Sequence, residues 1–313
     1  MPVEDPKVKK IIDKAVDKLF EEIKHGRSKR LKEYLKFVSN FYPYSFNNTI
    51  LVYSQMKEAT HVAGFDKWKA MGYKIKKGSK AIKILAPQRY RFIVSGGRRI
   101  FYKHMTKEQR EKKDEHVTGI NFYPVPVFDI SQCENRGKTI EKYFISLGNS
   151  HKSKYLNLKR IIKKGGIKVK ECDTGTAEGI SFGGEIHIKK ENDYNNKLLT
   201  LIHEYAHEIL HKGSENKKLS RGFKECQAEA TSFVVGKYFG IDNPFSSDYI
   251  LNWGGTKDKL KENLRRVLVA TDKIIKNIER EKSKERVKAS LKKSKIDTIG
   301  GGRDAGKSAG MQR

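Results

Sequence analysis

The chain opens on a helical period. Val8, Ile11, Ile12, Ala15, Val16, Leu19, Phe20 and Ile23 recur at the spacing that lines one face of an α-helix. A second short helix follows, with Leu31, Tyr34, Leu35 and Val38. Pro43 breaks the segment FYPYSFNNTILVYSQ, which returns to helix by Thr49, and AGFDKWKAMG predicts a short helix that ends at Gly72. The period then shortens to that of a strand. KIKKGSKAIKILAP alternates at Ile82, Lys83 and Ile84 and is expected to stop at Pro87. RYRFIV and RRIFY flank Ser95-Gly96-Gly97 as a hairpin, and the prolines of NFYPVPVFDI predict a strand at a sheet edge.

A junction is expected between Cys133 and Gly148. Beyond it the pattern predicts a helix over 154–164 stopped by Gly165-Gly166, strands at IKVKEC and at GISFGGEIHIKK, and a helix from about Asn195 to His211. FKECQAEATSFVVGKYFG forms another helix, and Leu260, Leu264, Val267, Leu268, Ile274, Ile275 and Ile278 share one face of a last long one. Lysines and arginines then crowd together before IGGGRDAGKSAGMQR, which predicts a disordered basic tail. The fold class is α+β, divided into residues 1–135, 136–280 and a tail over 281–313.

The formal net charge of +29 changes the picture. An excess this large attracts polyanions, nucleic acid first, although a generally Lys-rich composition would also produce it. No stretch approaches the run of about 18 apolar residues that a membrane helix needs, and MPVEDPKVKK lacks the apolar core of a secretory signal. Cys133, Cys172 and Cys226 are scattered with no CxxC pair. The expected location is the cytoplasm.

The chemistry concentrates at His203-Glu204-Tyr205-Ala206-His207, an HExxH on a predicted helix. Residues four apart lie on one face, so both imidazoles can share one zinc ion. Glu204 reaches a water beside the metal, as the general base of a peptidase. The third ligand comes from the downstream helix, where Glu225 and Glu229 stand one turn apart. One would bind the metal while the other orients a ligand histidine. Glu225 is favoured as the ligand by its likeness to the ExxxD arrangement of thermolysin-type enzymes. His211 repeats the four-residue spacing, but on a straight helix it lies about 9 Å along the axis from a metal held by the first two histidines. It reads as a helix-end histidine near the C-terminal dipole. His187 reads as a strand residue, and Tyr249 as a core tyrosine that could alternatively stabilise an oxyanion. The strand Gly179–Lys189 is positioned to pair with an extended substrate.

These segments resemble known families. YSFNNTILVYSQMKEATHVAGFDKWKAMGYKIKKGSKAIKILAP is similar to the N-terminal domain of ArdC-type antirestriction proteins, at Ser45, Asn48, Gln55, Ala59-Thr60, Gly64-Phe65, Trp68, Lys77-Gly78 and ILAP, with VFDISQ as the end of that domain. The second half resembles the metallopeptidase part of the same proteins and the wider ImmA/IrrE-like zinc peptidases, through HEYAHEILH and ECQAEATSFVV. SSDYILNWGG is similar to a segment of ArdC-like proteins of mobile elements. The resemblance implies an N-terminal domain that binds single-stranded DNA, a zincin-like peptidase domain with Zn2+, and protection of incoming DNA. Independently, Tyr42, Tyr44, Phe46 and Tyr53 offer rings for stacking. Lys74, Lys76, Lys77, Lys80, Lys83, Arg89 and Arg91 offer phosphate contacts, and Tyr44 and Asn48 join them as the expected contact set. Each aromatic taken singly is more readily a core residue.

Three readings compete. The first is a mobile-element protein that binds single-stranded DNA and cuts an unidentified protein substrate. The second is an ImmA-like protease that cleaves a specific repressor. The third is a non-catalytic DNA-binding protein braced by structural zinc.

Overall fold

The N-terminal helical period becomes α1 (Pro6–Lys24), α2 (Ser28–Asn40) and α3 (Phe46–Gln55). The computed structural model describes residues 6–24, 28–41, 44–135, 150–213, 219–241 and 256–300. Ser45, extended at φ −67°, accepts a hydrogen bond from the Asn48 N–H and starts α3. Along the chain come β1 (Val62–Ala63), α4 (Phe65–Ala70), β2 (Tyr73–Ile75), β3 (Ile82–Ser95), β4 (Arg98–Phe101), α5 (Lys107–Glu111), β5 (Val117–Asp129) and β6 (Cys133–Asn135). Strands β1-β5-β3-β4 form one sheet in that order, and β2 pairs with β6.

The hairpin at Gly96-Gly97 forms as expected. Both glycines have positive φ (57° and 73°) between the paired Ser95 and Arg98, the backbone that a tight two-residue turn demands. β3 does not stop at Pro87. It continues to Ser95 as one arm of a long antiparallel ladder with β5, from Ile82 opposite Val127 to Phe92 opposite Val117. The edge expected of β5 holds over most of its length: β1 pairs only with Phe128 and Asp129, and from Val117 to Val127 β3 is its one strand partner among the described residues.

Hydrogen-bond phase explains how the ladder admits its prolines. The Leu85 N–H donates to Asn48 Oδ1 and its carbonyl accepts from Asn48 Nδ2, while Lys83 exchanges the same pair of bonds with Gln55. Lys83 and Leu85 therefore turn their peptide groups away from β5. Pro87 follows in the same phase, and Pro126 and Pro124 lie opposite Lys83 and Leu85. All three prolines occupy positions where no ladder N–H is needed. The carboxamides of α3 serve the base of β3 as a strand would. At the end of the ladder, the buried Asp129 carboxylate accepts from the Thr60, His61 and Ser131 N–H groups.

The second half holds α6 (His151–Lys164), β7 (Lys168–Cys172), β8 (Gly179–Ser181), β9 (Glu185–Lys189), α7 (Tyr194–Leu210), α8 (Arg221–Tyr238) and α9 (Lys257–Gly300). The strand expected over Gly179–Lys189 is instead a hairpin, broken at Gly183 and Gly184, whose φ values of 79° and 128° a continuous strand excludes. The sheet order is β7-β9-β8, with β7 parallel and β8 antiparallel to β9.

One core lies among α6, the β7–β9 sheet, α7, α8 and α9. Another unites α1, α2 and α3 with Cys226, Ala230, Phe233 and Val234 of α8 and Leu260, Leu264 and Val267 of α9. The two expected regions therefore share a core, and the boundary near residue 135 separates sheets rather than packing units. The tail differs too: α9 runs to Gly300, through residues expected to be disordered. No Gly or Pro interrupts residues 281–299, and Lys, Glu, Arg and Ala favour helix. Glu285 pairs with Arg160 and Lys164 of α6, which ties this stretch to the body. Residues 301–313 lie outside the described set. No helix among the described residues is long and apolar enough to cross a membrane.

An ion cluster anchors β7 to the helices. Burial works against the Glu171 charge, but Lys159 and the buried Lys197 hold its pKa down at about 2. Removing the carboxylate leaves Lys197 unpaired in a buried setting. Glu171→Ala is expected to cost about 2–3 kcal/mol at pH 7 by chemical denaturation. Because the folded pKa is depressed, the wild-type advantage is present above pH 4.5 and fades as pH falls towards 2. A pH-independent difference would assign the loss to packing.

Candidate metal centre

The site is built by two helices. Asp193 caps α7 by accepting from the Asn195 and Asn196 N–H groups. Leu198, Leu201 and Ile202 bury one stripe of α7, and that rotational setting turns His203 and His207 towards α8. Ser220 caps α8, whose Cys226 and Ala230 enter the core while Glu225 and Glu229 face the histidines.

His203 Nε2, His207 Nε2 and a Glu225 carboxylate oxygen converge. The two nitrogens are 3.0 Å apart, and Glu225 Oε2 lies 3.3 Å from one and 3.4 Å from the other. Among the described residues these three form the cluster whose donor atoms could hold a metal ion. Ligands about 2.0–2.2 Å from a tetrahedral zinc stand about 3.3–3.5 Å from one another, so the donor set fits such an ion in both type and spacing. The three side chains are only partly buried, which leaves the converging face open to a further ligand.

The surrounding contacts fix each donor. Glu229 Oε2 stands 3.3 Å from His203 Nδ1, the ring nitrogen that faces away from the cluster. His207 Nδ1 lies 2.9 Å from His211 Nδ1, His211 Nε2 lies 3.1 Å from Gln227 Oε1, and Gln227 Nε2 donates to Asn263 of α9. His211 is thus the partner of a cluster histidine and contributes no atom to the cluster itself. Gln227, Asn263 and Glu208 were not foreseen. Glu208, directly after the HExxH, is buried, and its Oε1 accepts from Ser181 Oγ and the Gly183 N–H, which clamps the β8–β9 turn onto α7. Its adjacency to the motif was the available signal, whereas nothing in the sequence links Asn263 to His211.

Electrostatics follow from this packing. Burial opposes a charge on His203, but the Glu225 and Glu229 carboxylates overcome it and lift its pKa to about 9. Hydrogen bonds from His203 and His207 hold Glu225 well below the usual carboxylate range. Glu204 is different. It is buried, lies outside the donor triad, and burial pushes its carboxyl up despite the nearby histidines. A carboxyl raised by burial beside a metal donor set is suited to exchange a proton with a water held there. His211 is pushed down to about 4 by burial.

His187 lies on the central strand β9 and pairs with Glu185. Tyr249, SSDYILNWGG and the junction over 136–149 lie outside the described residues. In the N-terminal half Lys74, Lys76, Lys77, Lys80, Lys83, Arg89 and Arg91 are all exposed. The proposed stacking rings fare otherwise. Phe46 is buried, Tyr53 packs edge-on against Tyr34 and Phe37, and the half-buried Tyr44 donates its hydroxyl to the Val62 carbonyl. Tyr42 lies outside the described residues. Asn48 spends its amide on Leu85. These aromatics and Asn48 hold the fold together.

Comparison with known proteins separates the halves. Residues 8–128 match the N-terminal domain of anti-restriction factor ArdC. That match covers the helices α1–α4 and the β3–β5 ladder and stops short of the metal cluster. The crystal structure of antirestriction ArdC from plasmid R388, in its metal-free form, superposes with a TM-score of 0.53 at 15% identity, covering 86% of this chain and 98% of that one. Its Mn(II)-bound form gives 0.52 at 16% identity with the same coverage. At such identities the likeness is one of fold, and it extends through both halves. An uncharacterized protein of Bacillus anthracis is 27% identical over 331 aligned positions, 91% of this chain and 55% of that protein. The chain spans about half the length of that relative.

Gly179 on β8 lies directly against the site. A Cβ there would come 2.4 Å from Thr200 Cγ2 and 2.9 Å from Glu204 Cγ. Gly179→Ala is expected to destabilise the protein by about 1–3 kcal/mol in a denaturant titration. Pairing it with Thr200→Ser, which removes the nearer methyl, should return part of the loss. Full wild-type stability in Gly179→Ala would show that β8 stands further from α7.

Proposed function

We propose that the protein is an ArdC-like antirestriction protein of a mobile element, whose second half is a zinc peptidase and whose N-terminal half binds single-stranded DNA. The observation that carries the peptidase reading is the convergence of His203, His207 and Glu225 with the buried Glu204 beside them. His203, His207 and Glu225 would hold Zn2+, with Glu229 orienting His203. The Mn(II) in one ArdC structure supports a divalent ion in proteins of this fold. When bound, the ion supplies Lewis acidity towards a carbonyl and an attacking water. Glu204 takes a proton from that water as it adds to the scissile carbonyl carbon, and returns it to the amine as the C–N bond breaks. β8 lies at its sheet edge above Glu204, where an extended peptide can add as a further strand.

The nucleic-acid half of the reading rests on the ArdC N-terminal match, the net charge of +29 and the exposed basic positions from Lys74 to Arg91. An unidentified protein bound to incoming single-stranded DNA is the substrate class that joins both halves.

Metal content by mass spectrometry tests the site. The purified chain is expected to retain about one zinc per molecule. His203→Ala and Glu225→Ala should lose it, while Glu229→Gln keeps it with an affinity about 10- to 100-fold lower. Glu204→Gln should keep both zinc and fold and lose peptide hydrolysis. A wild type that takes up no divalent metal when supplied with it would defeat the peptidase reading. A Glu204→Gln protein with intact antirestriction activity would leave the metal a bracing role.

A further inference from the structure

The β3–β4–β5 arm has two chemically different faces. The register places Tyr90, Phe92 and Val94 of β3 on one face with Val117 of β5 and Arg99 and Phe101 of β4. Near its base this face enters the core through Ile82, Ile84 and Val127. Beyond the core the face carries Tyr123, then the polar pair Gln88 and Asn121, and past that pair an apolar cluster around the buried Phe92 in which Phe101, Val117 and Val94 are between 40% and 61% exposed. Isolated exposed apolar residues need no explanation, but a contiguous set does. The rings of Tyr90, Phe92 and Phe101 lie 5.5–6.4 Å apart, and the Arg99 guanidinium sits 5.1 Å over Phe92. The opposite face carries Arg89, Arg91 and Arg98.

Neither β3 nor β4 contains a carboxylate, and β5 has none before Asp129. The acidic residues of this region fall in the segment over 107–115 that joins β4 to β5. An apolar protein surface would fit the rings alone. The unopposed arginines on both faces and along one edge point instead to a polyanion with exposed flat groups.

We propose that this arm is the seat of single-stranded nucleic acid, with bases stacked on the Tyr90–Phe101 face and phosphates held by Arg98 and Arg99. The proposal rests on the reading that the N-terminal half binds single-stranded DNA, and moves its centre from the Lys74–Lys83 strip to the arm. Duplex DNA keeps its bases stacked within the helix, so it can use the arginines but not the rings. Sequence tolerance follows, because every base has a face to stack.

The experiment is fluorescence anisotropy of the full chain with a labelled single-stranded oligodeoxynucleotide and with its duplex, across a salt series. Phe101→Leu keeps an apolar side chain but removes the ring. It is expected to weaken single-strand binding about 5- to 100-fold with the salt slope unchanged, and Phe101→Ala to do the same. Arg98→Ala/Arg99→Ala should weaken binding and reduce the slope of log Kd against log salt by about 1.4, at about 0.7 for each phosphate contact. Wild-type affinity in Phe101→Leu and in the arginine pair, with loss in Lys74→Ala/Lys76→Ala/Lys77→Ala, would overturn the arm and leave the broader DNA reading standing. Duplex bound as tightly as single strand would overturn the stacking. A wild type that binds no single strand at low salt would overturn both.

Discussion

The second half of the molecule depends on one pairing of helices: the carboxylates of α8 set against the imidazoles of α7. His203 stands between Glu225 and Glu229, with one ring nitrogen facing each. Burying these groups is costly, and it is tolerated because each charge finds a partner of opposite sign. Such a pairing admits one rotational setting of the two helices. Ala206 and Ala228, both fully buried, keep the intervening surface small, and the large apolar residues of the same core occupy the remaining stripes. The polar set specifies the arrangement, while the apolar set supplies most of its stability.

Other elements are referred to this pair. Glu208 ties the β8–β9 turn to α7, which brings β8 over Glu204. His211, Gln227 and Asn263 carry hydrogen bonds from the donor cluster to α9. α9 in turn packs on α1 and pairs Lys261 with Asp13. A continuous run of contacts therefore connects the donor cluster to the N-terminal helices. Position in this network separates the two glutamates of α8: Glu225 faces both Nε2 atoms, whereas Glu229 faces only His203 Nδ1.

Local periodicity made most helices legible. α1, α2, α6, α7 and α8 follow from apolar spacing and their stop signals, and the HExxH on α7 is read directly. The ExxxE on α8 was legible too, because one turn of helix separates a residue facing one ring nitrogen of His203 from a residue facing the other. What failed was non-local. Pro124 and Pro126 marked an open edge correctly, but Pro87 suggested a strand end, and its phase in the ladder is decided by Asn48 and Gln55 on a distant helix. Phe46 and Tyr53 are core rings, as each aromatic taken singly was expected to be, and only the packing shows which face of α3 is covered. The Arg-aromatic alternation of RYRF and RRIFY resolves into two faces only once the two-residue turn at Gly96-Gly97 sets the register. The extent of α9 was missed because charge without apolar periodicity resembles disorder, although the same residues favour helix.

An anomalous difference map at the zinc edge, from crystals of the wild type grown with zinc, tests the central assignment most directly. The account predicts one peak about 2.0–2.2 Å from His203 Nε2, His207 Nε2 and a Glu225 oxygen, with Glu229 still on His203 Nδ1. A peak bonded to Glu229 or His211, or no peak at the helix pair, would contradict it.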